Sequence, residues 1–321
     1  MSLTIRFLGT AASRPTLERA VPSIAVLRDG DTALVDCGEG TQRQMLRFGV
    51  PFALDDIFFT HFHTDHFLGV IGLMRTLGLN GRAEPLRLWG PRGAAKWLRR
   101  AEDVGMDRLP FKLEITEVAP GDRVSRAGYR WEAFPHEHRG TPSVGWALIE
   151  ETRLGRFDPE RARALGIPEG PLWGRIHKGE AITLDDGRTV SPRELVGPTR
   201  AGRSVVITGD TRPLASTVEI AREADVLVHE ATFGEEERDR ARETGHATAR
   251  EAAELAAAAS VRRLVLTHVS ARYSRDAREL EREASAIFPR VTMAKDGLEL
   301  DVPFRDAVED ASADGASLSA T

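Results

Sequence analysis

A single cysteine, Cys37, in 321 residues leaves no internal disulfide to form and agrees with a reducing compartment. It reads as a small buried hydrophobe at a strand end. No run of about 18 apolar residues exists, so no membrane-spanning helix is expected. The opening residues, Met1 to Phe7, lack the basic region, apolar core and cleavage site of an export signal. A cytoplasmic protein is therefore expected. Positive charge is also short: a net charge of −5 gives no support for nucleic-acid binding as a whole-chain property, and any polyanion must meet a local cluster. The length and even spread of apolar residues fit one large layered core with an insertion.

What is present concentrates between Asp56 and Gly69, D-I-F-F-T-H-F-H-T-D-H-F-L-G. Ile57, Phe58 and Phe59 suit a buried strand, which stops at His61, His63, Asp65 and His66. A His-x-His-x-Asp-His spacing requires a turn that sends His61 and His63 one way and Asp65 and His66 another. That divergence suits two adjacent metals better than one. Such ligands favour zinc, with manganese or iron as alternatives, and a metal pair suits water-assisted displacement at phosphorus or carbonyl carbon.

Strands are expected at 3–10, 23–28 and 32–36, the last two as a hairpin around Asp29-Gly30. A helix over 40–48, a strand at 57–60, a ligand loop, a helix over 67–78, a strand at 85–89 and a helix opened by Gly90-Pro91 continue a βα rhythm. Strands at 111–118, 129–134 and 143–149 follow. From 151 to 203 the pattern breaks into an Arg-, Gly- and Pro-rich excursion, with one short helix near 158–165, that does not read as core. It holds 10 Lys/Arg against 8 Asp/Glu, but within 161–178 Arg161, Arg163, Arg175 and Lys178 face only Glu169. The stretch is either a solvated excursion or an arm whose tip meets a polyanion. Three more apolar strands then end in ligand types, at Asp210, His229-Glu230 and His268. With His61 that makes four strand ends delivering His or Asp, the place where sites assemble in α/β sheets. Helices over 247–259 and 276–287 and a strand at 295–302 close the pattern, and the small, acidic tail from about 305 is expected to be disordered.

The strand ends supply His61, His63 and His138 for one metal and Asp65, His66 and His268 for the other. Asp210 can bridge two cations on the order of 3.5–4 Å apart. His136, two residues before His138, is its rival. This set resembles the metallo-β-lactamase superfamily. His229-Glu230-Ala231-Thr232-Phe233, Gly245-His246-Ala247-Thr248-Ala249, the run Thr267 to Tyr273 and Phe134-Pro135-x-x-His138 are similar, more narrowly, to the short bacterial-type form of ribonuclease Z, the tRNA 3′-processing endoribonucleases. The resemblance covers residues 3–303. It implies an α/β fold, a four-layer αββα metallo-β-lactamase-like sandwich over 1–304 with a flexible tRNA-binding arm inserted at about 151–203. It also implies two zinc ions per chain, a homodimer, a tRNA precursor as substrate, and His138 as the ligand. Asp65 would double as proton acceptor, Glu230 and His246 would form a dyad near the leaving oxygen, and Arg272 would offer a fork to a phosphate oxygen. Arg161, Arg163, Arg175 and Lys178 would grip the tRNA backbone. One departure stands out: the family's P-x-K-x-R-N loop reads Pro15-Thr16-Leu17-Glu18-Arg19-Ala20 here, without the Lys and the Asn. Phosphodiesterases and arylsulfatases on the same scaffold are the competing expectation.

Overall fold

The computed structural model describes residues 1–305, so the expected acidic tail lies outside the described residues. The first half runs β1 (Leu3–Gly9), β2 (Ser23–Arg28), β3 (Asp31–Val35), α1 (Thr41–Phe48), β4 (Asp56–Phe58), α2 (Thr64–Phe67), α3 (Gly69–Leu79), β5 (Leu86–Pro91), α4 (Ala94–Glu102) and β6 (Leu113–Val118). Next come β7 (Arg123–Arg126), β8 (Tyr129–Pro135) and β9 (Val144–Glu150). The excursion carries α5 (Pro159–Ala164), α6 (Pro171–His177), β10 (Ile182–Thr183) and β11 (Thr189–Val190). The chain then gives β12 (Ser204–Ile207), α7 (Ala215–Ile220), β13 (Val226–Glu230), α8 (Arg238–Thr244), α9 (Ala249–Ala258), β14 (Leu264–Thr267), α10 (Arg278–Ser285), β15 (Val291–Met293) and β16 (Glu299–Asp301).

Two seven-stranded sheets result, ordered β16-β1-β2-β3-β4-β5-β6 and β15-β14-β13-β12-β9-β8-β7. The apolar run in β4 shows why they stack. Successive side chains point to opposite faces, so Phe58 enters the core between the sheets while Ile57 and Phe59 join the core under α1, α3 and α4. Phe58 stacks on Trp131 of the other sheet with ring centroids 4.5 Å apart. A third core lies between the second sheet and α7, α9 and α10. Helix α9 turns a stripe of buried alanines inward, and a reciprocal Thr248–Glu251 capping box starts it. These layers make the αββα sandwich. The strands β3 to β6 run parallel, as do β12 to β15, and their carboxyl ends lie at one edge.

Three expectations need correction. Asp65 and His66 sit on the short helix α2 rather than in a loop. The strand expected at 295–302 shortens to β16 beside β1, and an unexpected strand, β15, precedes it beside β14 in the other sheet, with Gly297 (φ +85°) in the connection between them. The excursion also has a core of its own. Ala162, Ile167, Ile176, Ile182, Val190 and Leu195 are buried together, and Phe157 packs on Trp173 at 5.3 Å. Its apolar residues escaped notice because glycine and proline turns break them out of any helical or strand period. At its root Glu150 accepts from Arg28 Nε (2.8 Å) and Arg203 Nη2 (2.7 Å). Burial opposes that charge, but the two guanidiniums hold the carboxyl down at about 2. No helix among the described residues is long and apolar enough to cross a membrane.

Candidate active site

The carboxyl ends of β4, β8, β12, β13 and β14 deliver the chemistry-bearing side chains to a cleft of about 330 Å³. Gly209 makes the approach of β12 possible: with φ +74° and the Thr60 side chain 2.7 Å from where a Cβ would stand, only glycine fits. The next residue, Asp210, is buried and lies between two clusters. Its Oδ2 is 3.8 Å from His61 Nε2 and 3.9 Å from His138 Nε2, and its Oδ1 is 3.3 Å from His66 Nε2 and 3.1 Å from His268 Nε2. Asp65 Oδ2 stands 3.6 Å from both His66 Nε2 and His268 Nε2. His61, His63, His138 and Asp210 thus form one group with ligand atoms within 4.8 Å, and Asp65, His66 and His268 another. A third grouping of the same spacing joins Asp210, His246 and His268.

Four of the five cluster histidines, all but His63, are aimed by the other ring nitrogen. His138 Nδ1–H donates to Gly245 O (2.9 Å), and His268 Nδ1 meets Thr232 Oγ1 (2.9 Å). The remaining two share one anchor. Asp36 Oδ2 accepts from His66 Nδ1–H at 2.7 Å and from Thr60 Oγ1–H at 2.8 Å, and Thr60 Oγ1 in turn accepts from His61 Nδ1–H at 3.0 Å. One carboxylate therefore fixes both tautomers and leaves both Nε2 atoms as acceptors facing Asp210. The Nε2 atoms of His61, His66 and His268 and the Oδ1 of Asp210 are buried without a hydrogen bond. Four adjacent buried acceptors without donors are an arrangement that divalent cations satisfy, so the residues fit a metal centre. Burial and the surrounding imidazoles push His61 well below its ordinary value, and burial likewise lowers His63. Burial works against the charge on Asp65 and Asp210, yet the neighbouring imidazoles hold both carboxyls below the usual range.

Beside this cluster, His246 Nδ1 donates to Glu230 Oε1 at 2.8 Å. Glu230 is buried and also accepts from Thr211 N–H (2.9 Å) and Thr232 Oγ1–H (2.6 Å), which fixes its orientation. Burial pulls the His246 imidazole down, but Glu230 outweighs it and lifts the group to about 9. Asp65 Oδ2 accepts from Ser13 N–H at 2.9 Å.

His136 stays apart: it packs at a tilt against Phe134, joins no ligand group among the described residues, and burial depresses it to about 3. The structure brings His138 to the cluster instead. Arg272 does not line the cleft but pairs with Glu237. In the arm Arg163 pairs with Glu169 (2.8 Å) and Arg175 with Glu180 (2.8 Å), so two of the four cations there are matched, the second by a carboxylate just past the window counted in the sequence. Sequence reasoning missed Asp36, whose only local signal was a charged residue closing the apolar strand β3. It also missed Arg14, Arg139 and Arg240, which line the cleft.

An αββα sandwich with His and Asp clusters at its strand ends defines a metal-dependent hydrolase of the metallo-β-lactamase type. Residues 17–168 match the metallo-beta-lactamase superfamily model and residues 181–269 a beta-lactamase superfamily domain. Proteins named ribonuclease Z from Gemmatimonas aurantiaca and Myxococcus xanthus are 58% and 48% identical, over 97% and 95% of this chain and 99% of each relative. The crystal structure of the short form of human tRNase Z superposes with a TM-score of 0.69 at 26% identity, covering 94% of this chain and all of that one. A diphosphatase (TM-score 0.62, 19% identical) shares the fold alone. The chain belongs to the ribonuclease Z family.

Proposed function

We propose that the chain is a zinc endoribonuclease that removes the 3′ trailer from tRNA precursors and leaves a 3′-hydroxyl on the tRNA. The observation that carries this reading is Asp210 shared between two imidazole clusters, 4.0 Å from the Nδ1 of a histidine already held by Glu230. His61, His63 and His138 would hold one zinc, Asp65, His66 and His268 the other, with Asp210 between them. When bound, such a pair polarises the phosphodiester and makes a water acidic enough to lose its proton near neutral pH. The Ser13 N–H holds the Asp65 carboxylate through Oδ2, and that carboxylate accepts the proton. The water oxygen bonds to phosphorus as the bond from phosphorus to the tRNA 3′-oxygen breaks. His246, charged and oriented by Glu230, gives its proton to that 3′-oxygen. Residues 151–203 form the arm that grips the tRNA body, and of the four basic residues at 161–178 Arg161 and Lys178 carry no ion pair among the described residues. The active form is a cytoplasmic homodimer in which one copy's arm holds the tRNA that the other cuts.

Metal analysis together with cleavage of a tRNA precursor tests the reading. Two zinc ions per chain and a mature product with a 3′-hydroxyl are expected. Hydrolysis of a chromogenic phosphodiester with an untouched precursor would place the chain among the small-ester hydrolases instead.

A further inference from the structure

The cleft holds three guanidiniums that the chemistry above does not use, Arg14, Arg139 and Arg240. Among the described residues none of them forms an ion pair, whereas Arg272, Arg163 and Arg175 are each matched by a carboxylate. The backbone singles out Arg139. Thr141 N–H donates to His138 O at 2.9 Å, and the two residues between them have φ +49° (Arg139) and φ +70° (Gly140). That is the pattern of a type I′ turn, whose first central position favours Asn, Asp or Gly. An arginine there carries left-handed strain, and strained non-glycine residues concentrate at functional sites. The turn is seated against Gly245, where a Cβ would stand 2.8 Å from Arg139 Cγ. Gly245 also accepts the His138 Nδ1–H and directly precedes His246.

The fold thus presses Arg139 against Gly245, the residue just before the one that bears the proton for the leaving oxygen. Arg240 lies on α8, which leads into the same Gly245-His246 step, and its guanidinium sits 5.7 Å over the Phe233 ring. Arg14 stands on the other side, next to the Ser13 N–H that holds Asp65. The cleft therefore has a polarity, one cation on the attacking side and two on the leaving side. The geometry points to Arg139, assisted by Arg240, as the seat for the phosphodiester immediately 5′ of the scissile one. That phosphate belongs to the nucleotide whose 3′-oxygen leaves. This assignment rests on the proposed function, because only a polynucleotide has a phosphate there.

The test uses the full-length, metal-loaded protein and a tRNA precursor with a 3′ trailer. Arg139→Asn should raise KM roughly 10- to 100-fold, the range for losing one charge-assisted contact, while kcat changes less than about threefold. The slope of log affinity against log salt should fall by about one. Because asparagine tolerates the left-handed turn, Tm should stay level or rise, an outcome that a structural role for Arg139 would not give. Arg139→Lys should fall between the two in KM. A neutral methylphosphonate placed 5′ of the scissile phosphate should raise the wild-type KM by a similar factor and leave Arg139→Asn unaffected. The same replacement one position into the trailer should add to the effect of Arg139→Asn. Unchanged KM in Arg139→Asn, or additive losses with the 5′ methylphosphonate, would overturn the assignment. A wild-type protein that leaves the precursor intact would refute the parent reading instead.

Discussion

Asp36 should control both halves of the metal centre although it touches neither cation site. In Asp36→Asn the volume is kept, and asparagine tolerates the φ of +60° at this position. The change is in donors. An amide in place of Oδ2 faces the His66 Nδ1–H and the Thr60 hydroxyl, donor against donor. The network can relax only if His66 moves its proton to Nε2 and Thr60 turns its hydroxyl toward His61, which moves that proton as well. Each Nε2 then loses the lone pair it offers at 3.3 Å and 3.8 Å from Asp210. Loss of an outer hydrogen bond to a ligating histidine costs about 10- to 100-fold in metal affinity, or about 1.4–2.7 kcal/mol per site. Zinc titration against a competing chelator, with ¹⁵N spectra of the imidazoles to read the tautomers, should show both affinities reduced. Thr60→Val removes only the limb to His61 and should weaken one site alone. Wild-type affinity at both sites in Asp36→Asn, or equal loss at both in Thr60→Val, would refute the relay.

Further outcomes follow from the same geometry. Asp210→Ala should lower zinc content and abolish cleavage together, since its two oxygens face both clusters; two zinc ions retained would rule out bridging. Glu230→Gln and His246→Ala should each slow single-turnover cleavage about 10²- to 10⁴-fold with both metals kept, and the double variant should lose no more than the worse single one. Additive losses would mean that the pair does not act as a unit. Replacing residues 153–200 by a short turn should raise KM for the tRNA precursor while leaving hydrolysis of a chromogenic phosphodiester within about twofold. Equal effects on both substrates would make the arm a structural element.

The parts of this molecule legible in its sequence are those that one segment encodes by itself. The Ile57-Phe58-Phe59 run declares a strand buried on both faces, and its abrupt end in His61 marks the site edge, because both signals fall within a few residues. The same holds for the strands ending at Asp210, Glu230 and His268. Composition could not choose between His136 and His138; the choice came from resemblance, and the physical reason is the turn that swings His138 toward Gly245 while His136 stays packed against Phe134. What escaped depends on partners distant in the chain. Asp36 gains meaning only when β3 lies beside β4, and the free or matched state of an arginine depends on a carboxylate that counting cannot pair. The arm's core was missed for a related reason: six buried residues scattered among turns carry no period.

The root of that arm bears on how the second sheet assembles. β9 and β12 are neighbours in the sheet, Ile149 opposite Ser204, yet residues 151–203 separate them in the chain. Their pairing continues outward through Glu150 N–H to Arg203 O (2.9 Å), Arg153 N–H to Arg200 O (2.7 Å), Gly197 N–H to Arg156 O (2.9 Å) and Asp158 N–H to Leu195 O (2.8 Å), up to the small core at the tip. Bringing the ends of so long a flexible loop together would cost roughly 3.5 kcal/mol in chain entropy. An insertion that collapses on its own apolar residues and zips downward meets that cost locally. It hands β9 and β12 to each other already in register, and a distant strand pairing becomes, kinetically, a hairpin.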